Sequence, residues 1–219
     1  MAGDELSGPI SVRARFERFP ATVKGAFILR GEDADPHQVV FLRARADGIG
    51  LGVSYPVPMG SAVLDVVPHR DVFVPFELPV SELDPGWYTF VCDLEIDGSP
   101  ASYDGGRRFS VAWPRATVRR GQVAVGEQVE LGDVQVRVEH VDCTGDAIKI
   151  HLRVDPPAEI SAKLAAGGRR LEVLDVELDE VSGRGVVTAY PLLRTHTELR
   201  VDLKVRGQGA EGTLEVKLP

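Results

Sequence analysis

The sequence predicts an all-β protein built from two tandem β-sandwiches. Apolar and polar residues alternate in short segments along the chain, most clearly over residues 88–96. Alternation with a period of two turns one set of side chains toward a core and the other toward water. Turn pairs such as Asp47-Gly48 and Asp97-Gly98 separate these segments at a spacing that is typical of sandwiches.

The first half of the chain contains seven alternating segments, which predict seven strands. Each segment places apolar residues at every second position and ends at a proline, a glycine or a turn pair. The predicted strands lie at 10–16, 23–29, 40–46, 51–55, 72–78, 88–96 and 109–113. Between the last two strands we expect a long polar loop over residues 98–106.

The second half restarts the β pattern after Pro114. We therefore predict two domains, at residues 8–113 and 114–219. One segment in the second half, residues 160–166, has a weak helical pattern that Gly167-Gly168 would end. The other predicted strands lie at 117–118, 123–125, 129–131, 134–138, 148–154, 171–178, 186–190, 199–205 and 214–218.

Tyr88 follows the turn Asp84-Pro85-Gly86 and stands at the start of an alternating strand. This arrangement resembles the tyrosine corner of immunoglobulin-like sandwiches, in which the phenol hydroxyl bonds to backbone a few residues upstream. The resemblance implies two tandem immunoglobulin-like β-sandwiches, with Tyr88, Pro85 and Gly86 as structural residues and a bond from Tyr88 to backbone near residues 82–84. Phe90 occupies the position of a disulfide cysteine, so the chain resembles disulfide-free bacterial relatives.

The two halves also resemble each other in the order strand, proline, turn, alternating strand, loop, strand. Aligning Pro79 with Pro191 places Leu199 near the position of Tyr88, so the second half lacks the tyrosine. The pattern around Pro79 and Trp87 further resembles the sandwich repeats appended to bacterial cell-envelope glycosyltransferases. Such repeats assemble subunits or hold polymer, so this resemblance implies an accessory role without catalysis.

Charge and cysteine content restrict the partners and the compartment. The net charge of −8 repels phosphate backbones, so we predict no nucleic-acid binding. No apolar run approaches the roughly 20 residues that a spanning helix needs, so we also predict no membrane insertion. The first eight residues lack the basic and apolar parts of a secretory signal. Cys92 and Cys143 fall in different predicted domains and are expected to be buried thiols. Together these observations predict a cytoplasmic protein.

The sequence predicts no enzyme, no cofactor and no metal site. It contains neither a Gly-x-Ser-x-Gly motif nor a phosphate-binding glycine loop. The acidic segment 32–35 supplies too few oxygens for calcium. His140, Asp142 and Cys143 lack the paired spacing of a zinc site, and His140 continues the alternation of residues 134–138, which predicts a partly buried side chain. An enzyme would need distant residues such as those in 69–77 to converge in a cleft.

The candidate binding residues are aromatic or lie in the predicted loop. Tyr103 and Asp104 lie in that loop, where sandwiches carry binding residues. Because its neighbour Tyr88 points inward, Trp87 points outward, where it anchors a partner or covers a sheet edge or the domain junction.

We therefore predict a protein-interaction or assembly module that binds a protein partner or self-associates. The alternative is a carbohydrate-binding module, with Trp87 and Tyr55 as stacking platforms for a glycan. Arg43 and Arg45 share one strand face and are expected to pair with acidic residues across the sheet. The alternative is that they form a basic stripe that binds an anionic partner.

Overall fold

The computed structural model describes residues 8–60, 62–207 and 209–218, most of which lie in strands. The all-β prediction is thus confirmed. Two compact units divide the chain: the first ends at Val111 and the second begins at Ala112, two residues before the boundary predicted from Pro114. The predicted absence of a secretory signal concerns mainly residues 1–7, outside the described part. None of the helices found among the described residues is long and apolar enough to cross a membrane.

The described residues of the first unit form eight strands, because the sequence alternates apolar and polar residues between turn signals. One 3-10 turn found among them, Val80–Glu82, interrupts these strands. The strands are β1 (Ile10–Arg18), β2 (Thr22–Gly31), β3 (His37–Gly48), β4 (Ser54–Pro56), β5 (Ala62–Val66), β6 (Asp71–Pro79), β7 (Gly86–Ile96) and β8 (Ser99–Val111).

Strand pairing in the first unit follows the immunoglobulin-like order. One sheet has the order β1-β2-β6, and the other has the order β4-β3-β7-β8 with β5 also paired to β3. These sheets correspond to strands A-B-E and C′-C-F-G of the immunoglobulin-like sandwich. Between them lies an aromatic core that includes Phe27, Phe90 and Phe109. The predicted sandwich is therefore present in this unit.

The tyrosine corner predicted from the sequence is formed. The Tyr88 hydroxyl donates a hydrogen bond of 2.7 Å to the Asp84 carbonyl oxygen. The Tyr88 side chain is fully buried and stacks on Phe109 at a ring-centroid distance of 5.4 Å. Gly86 begins β7 and is buried opposite Val111. The corner thus fixes the start of β7, and with it the direction in which Trp87 points.

In its described part the second unit forms ten strands, again with a core formed by every second residue. They are β9 (Gly121–Ala124), β10 (Gln128–Leu131), β11 (Val134–Cys143), β12 (Ile148–Asp155), β13 (Ile160–Ala166), β14 (Arg169–Leu171), β15 (Val173–Leu178), β16 (Arg184–Ala189), β17 (Glu198–Val205) and β18 (Glu211–Lys217).

The second unit has the same basic topology with added edge strands. One sheet has the order β10-β11-β12-β16-β15, with β9 also paired to β11, and the other has the order β14-β13-β17-β18. The central strands β11-β12-β16-β15 correspond to A-B-E-D, and β13-β17-β18 correspond to C-F-G. Leu199 lies near the start of β17 and is buried, as expected for the residue aligned with Tyr88.

Several local expectations are wrong. Residues 117–118 form a turn and an isolated bridge rather than a strand, and only the end of the predicted strand 51–55 lies in β4. Residues 160–166 form strand β13 rather than a helix, because Ile160, Leu164 and Ala166 pack into the core from a paired strand. Residues 99–106 lie in strand β8 rather than in a loop, and only Gly98 of the predicted loop belongs to the turn before it. In β3 a bulge after Phe41 changes the phase, so Val39 and Phe41 rather than Val40 and Leu42 enter the core.

Candidate functional site

The four predicted binding residues lie on opposite faces of the five-stranded sheet of the first unit. Trp87 and Asp104 are on its outer face, since Trp87 alternates with buried Tyr88 and Asp104 pairs with Val91. Tyr55 pairs with buried Ala46 and therefore points toward the core. Tyr103, opposite buried Cys92, also points toward the core. The candidates therefore do not form one site.

The predicted binding loop is a tight hairpin followed by strand β8. Asp97 and Gly98 both have positive φ, 49° and 81°, and they alone connect β7 to β8. Two such residues are typical of a type I′ turn, which matches the twist of paired strands. Because β8 pairs with β7 from Ser99 onward, the side chains of residues 99–106 alternate between the two faces of the sheet.

Trp87 is half-buried at one end of the outer face. Its backbone carbonyl accepts a hydrogen bond of 2.8 Å from the Ile49 amide, and it lies opposite Ser110 on β8. A tryptophan in this position presents apolar area from a fixed backbone. Such a side chain is well suited to act as an interface anchor.

On the same face as Trp87, six positions along β7 and therefore roughly 20 Å away, lies an ordered charge network centred on Asp93. Asp93 Oδ2 accepts hydrogen bonds from Arg43 Nε at 2.6 Å and from an Arg45 amino nitrogen at 2.8 Å. Asp93 Oδ1 accepts a bond of 2.7 Å from the Ser102 hydroxyl. The predicted cross-strand pairing of these arginines is thus confirmed.

The network also determines the pKa of Asp93. Burial raises the pKa, but the hydrogen bonds from Arg43, Ser102 and Arg45 outweigh this effect and lower the pKa to about 2. Asp93 is therefore ionised at neutral pH, and its side chain is only 17% exposed. The charges of this face are consequently held in fixed positions.

Asp104 is exposed and stabilises a local irregularity of β8. Its Oδ1 accepts hydrogen bonds from the Thr89 hydroxyl at 2.6 Å and from the Gly106 amide at 2.9 Å. The ladder between β7 and β8 shifts register between Thr89 and Val91, and Gly106 has a φ of 70°. Asp104 is therefore a structural residue as well as an exposed one.

Tyr55 and Tyr103 pack against the core. The Tyr55 ring lies 6.0 Å from that of Tyr88, and its hydroxyl donates to Asp84 Oδ2 at 2.9 Å. Burial raises the pKa of Tyr103, whose ring is partly buried. Trp87 and Tyr55 consequently cannot stack on one glycan chain together, because they lie on opposite faces of the sheet.

The residues in segment 69–77 that the sequence suggested for a possible cleft do not converge. Asp71 and Glu77 lie six positions apart on β6, which separates them by roughly 20 Å. Asp71 pairs with Arg13 at 3.1 Å, and Glu77 pairs with Lys24 at 3.0 Å. His69 is exposed in a turn with a positive φ of 57°.

The two segments considered for metal binding differ in how their side chains are arranged. In segment 32–35, Asp33 bonds to His37 at 2.9 Å and Glu32 accepts a bond from Ser11, so the carboxylates have separate partners. In the second unit, Cys143 points into the core, where burial raises its pKa. His140 and Asp142 lie on the outer face instead, beside His151 of the neighbouring strand.

The position of His140 corrects the predicted phase of β11. A bulge between Val138 and His140 adds one residue, Glu139, so Val141 and Cys143 take the buried positions. His151 was not a sequence candidate. Only the pairing of β11 with β12 brings it opposite His140, and no spacing in the sequence signals that pairing.

Comparisons with known proteins leave the family open. No family model and no curated protein matches the chain. Among solved structures, a conserved domain protein from Bacillus anthracis is 12% identical, with 97% of this chain and 88% of that chain covered and a TM-score of 0.39. Two structures of a marsupial T cell receptor are 10% and 11% identical, each with 96% of this chain covered and a TM-score of 0.26.

In those receptor structures the match covers 62% and 97% of the chain compared. Sequence identities and TM-scores this low carry no argument about function. The immunoglobulin-like assignment therefore depends on strand order and on the tyrosine corner. The resemblance to repeats of glycosyltransferases has no support in these comparisons.

Proposed function

We propose that the chain is a non-catalytic protein-interaction or assembly module that binds through the outer face of the five-stranded sheet in the first unit. The observation that carries this proposal is that Trp87 and the ordered network of Arg43, Asp93 and Arg45 lie on the same outer face of the sheet. Tryptophan and arginine are the residues most enriched at binding hot spots. A cytoplasmic location is part of the proposal, supported by one buried free cysteine in each unit.

The fixed charges of this face favour binding. Ordering a long side chain at an interface costs about 0.5–1.5 kcal/mol. Arg45 is already held by Asp93 and by Asp47, the latter at 3.0 Å, so little of that cost remains when a partner binds. The same fixed charges select partners, because a partner must offer complementary charges at the same positions.

Exposed apolar residues extend the face at the end away from Trp87. Val63 of β5 is 65% exposed and pairs with Val40 of β3, and Leu42 is 42% exposed next to the bulge. A face with apolar residues at both ends and ordered charges between them has the composition expected of a binding surface that must also stay soluble.

The test measures association of Trp87→Ala against a matched control. Sedimentation velocity would report self-association, and pull-down from native lysate would report a partner. We expect Trp87→Ala to lose association while remaining folded, since Trp87 is only half-buried. Tyr103 is left unchanged, because its partly buried ring contributes to stability.

Phe73→Ala is the control for the loss of an exposed aromatic residue. Phe73 is 59% exposed on β6, in the other sheet of the same unit. Association lost in Phe73→Ala but retained in Trp87→Ala would move the binding surface to the other sheet and refute the proposal. If both variants kept association, neither Trp87 nor Phe73 would anchor a partner, and the proposal would be refuted.

A further inference from the structure

The outer face of the second unit brings together two histidines and one aspartate from neighbouring strands. We propose that His140, Asp142 and His151 form a binding site for one divalent transition-metal ion, for which Zn²⁺ is the appropriate probe. This site lies in the other unit from the proposed interaction surface, and its existence does not depend on that function.

Strand register explains why the three side chains meet. His140 of β11 lies directly opposite His151 of β12. Asp142 is the next outward residue of β11, since side chains two positions apart share a face. The bulge at Glu139 is what turns His140 and Asp142 outward, away from the core.

The ligand atoms are already close to the separation that a metal requires. Asp142 Oδ2 lies 3.0 Å from His151 Nε2 and 3.7 Å from His140 Nε2. One ligand atom from each residue lies within 4.8 Å of the other two. Zinc at roughly 2.0–2.2 Å from each atom would need separations of about 3.0–3.5 Å, so side-chain rotation suffices.

A hydrogen bond from a third strand fixes the orientation of the carboxylate. Gln122 of β9, opposite Asp142, donates from Nε2 to Asp142 Oδ1 at 2.9 Å. Oδ1 is thereby occupied, and Oδ2 is left facing both imidazoles. A second polar residue that orients a ligand in this way is a regular part of metal sites.

The donor set and the exposure of the site determine the class of ion. Two imidazole nitrogens with one carboxylate oxygen favour zinc and neighbouring transition metals over calcium or magnesium. The three side chains are 29–38% exposed, so water can complete the coordination. Lys149 lies opposite Asp142, and its positive charge opposes metal binding and keeps the affinity moderate.

His37 in the first unit also contacts two carboxylates, but its geometry does not suit a metal ion. Its Nδ1 bonds to Asp97 at 2.6 Å and its Nε2 bonds to Asp33 at 2.9 Å. These nitrogens point in different directions, so the two carboxylates cannot converge on one ion with the imidazole. In the His140 cluster, by contrast, both rings stack at a centroid distance of 4.1 Å beside one carboxylate.

The experiment titrates the full, untagged chain with Zn²⁺ by calorimetry and by proton NMR of the imidazole rings. We expect one ion per chain, with two of the five histidine resonances shifting, those of His140 and His151. His151→Asn and Asp142→Asn should each weaken binding at least about tenfold, since removing a ligand costs no less than removing a residue that orients it.

His69→Asn is the matched control, because His69 is exposed outside the cluster and asparagine tolerates its positive φ. It should bind Zn²⁺ like the parent chain. Equal circular dichroism of all variants establishes that they are folded. Absence of saturable binding by the parent chain would overturn the proposal. Equal affinity in His151→Asn and the parent chain, or resonance shifts confined to other histidines, would do so as well.

Discussion

The hydrogen bond of the tyrosine corner can be removed without changing the shape of the core. Tyr88→Phe deletes the hydroxyl that donates to the Asp84 carbonyl at 2.7 Å and keeps the ring that stacks on Phe109. A neutral hydrogen bond contributes about 0.5–1.5 kcal/mol net. Because the Tyr88 side chain is fully buried, we expect a loss near the upper end, about 1–1.5 kcal/mol. The larger penalty of an unpaired buried acceptor should not apply, since Asp84 is exposed and water can reach it.

Urea unfolding followed by tryptophan fluorescence measures this loss. In a Trp113→Phe background, Trp87 is the only tryptophan and reports the first unit, where it adjoins Tyr88. A loss of about 1 kcal/mol lowers the urea midpoint by roughly 0.3–1 M, because the slope of unfolding is about 1–3 kcal/mol per M.

Tyr103→Phe is the control for this measurement. Tyr103 is partly buried, and no hydrogen bond to its hydroxyl is found within the described ranges, so its loss should cost less than about 0.5 kcal/mol. Equal midpoints for Tyr88→Phe and Tyr103→Phe would refute the role assigned to the corner.

Three further perturbations test the packing and charges of the first unit. Because the folded-state pKa of Asp93 is depressed to about 2, the charge of Asp93 stabilises the fold above the unfolded pKa near 4. Asp93→Asn should therefore lower the free energy of unfolding by on the order of 2 kcal/mol at pH 7, and this difference from the parent chain should shrink as the pH falls from about 4 to 2. Equal differences at pH 7 and pH 2.5 would contradict this. Burial raises the pKa of the Cys92 thiol to about 12, so an aromatic disulfide reagent at pH 8 should label it only after unfolding, and rapid native labelling would disprove its burial. Gly25→Ala places a methyl group 2.3 Å from the Arg15 carbonyl oxygen and should lower the free energy of unfolding by at least about 1–3 kcal/mol. Gly60→Ala is the control, because its methyl group would meet nothing within 4 Å and should leave stability nearly unchanged. Equal unfolding midpoints for the two variants would contradict this.

The features that could be predicted from sequence are those encoded by local patterns. Alternation predicts strands because burial of every second side chain requires a paired sheet. The tyrosine corner spans only residues 84–88, so the turn and the aromatic residue are read together. The outward direction of Trp87 follows from its neighbour for the same reason.

The features that could not be predicted depend on pairing between distant segments. Residues 99–106 are rich in serine and glycine, as loops are, yet β7 pairs with residues 99–104 as a regular strand partner. Segment 160–166 contains alanine and leucine, which suit a helix, but pairing with β17 decides its structure. His151 becomes a neighbour of His140 only through the register of β11 and β12.

A bulge of one extra residue inverts the inside-outside assignment of everything that follows it in its strand. One additional residue at Glu139 is enough to exchange the two faces, so a relative lacking that single residue would have to bury its imidazole and carboxylate or change its register. A gap shifted by one position in an alignment would likewise exchange the core valine for the surface histidine. Comparisons between relatives must therefore locate the bulges first, since identical residues on either side of one can belong to different surfaces.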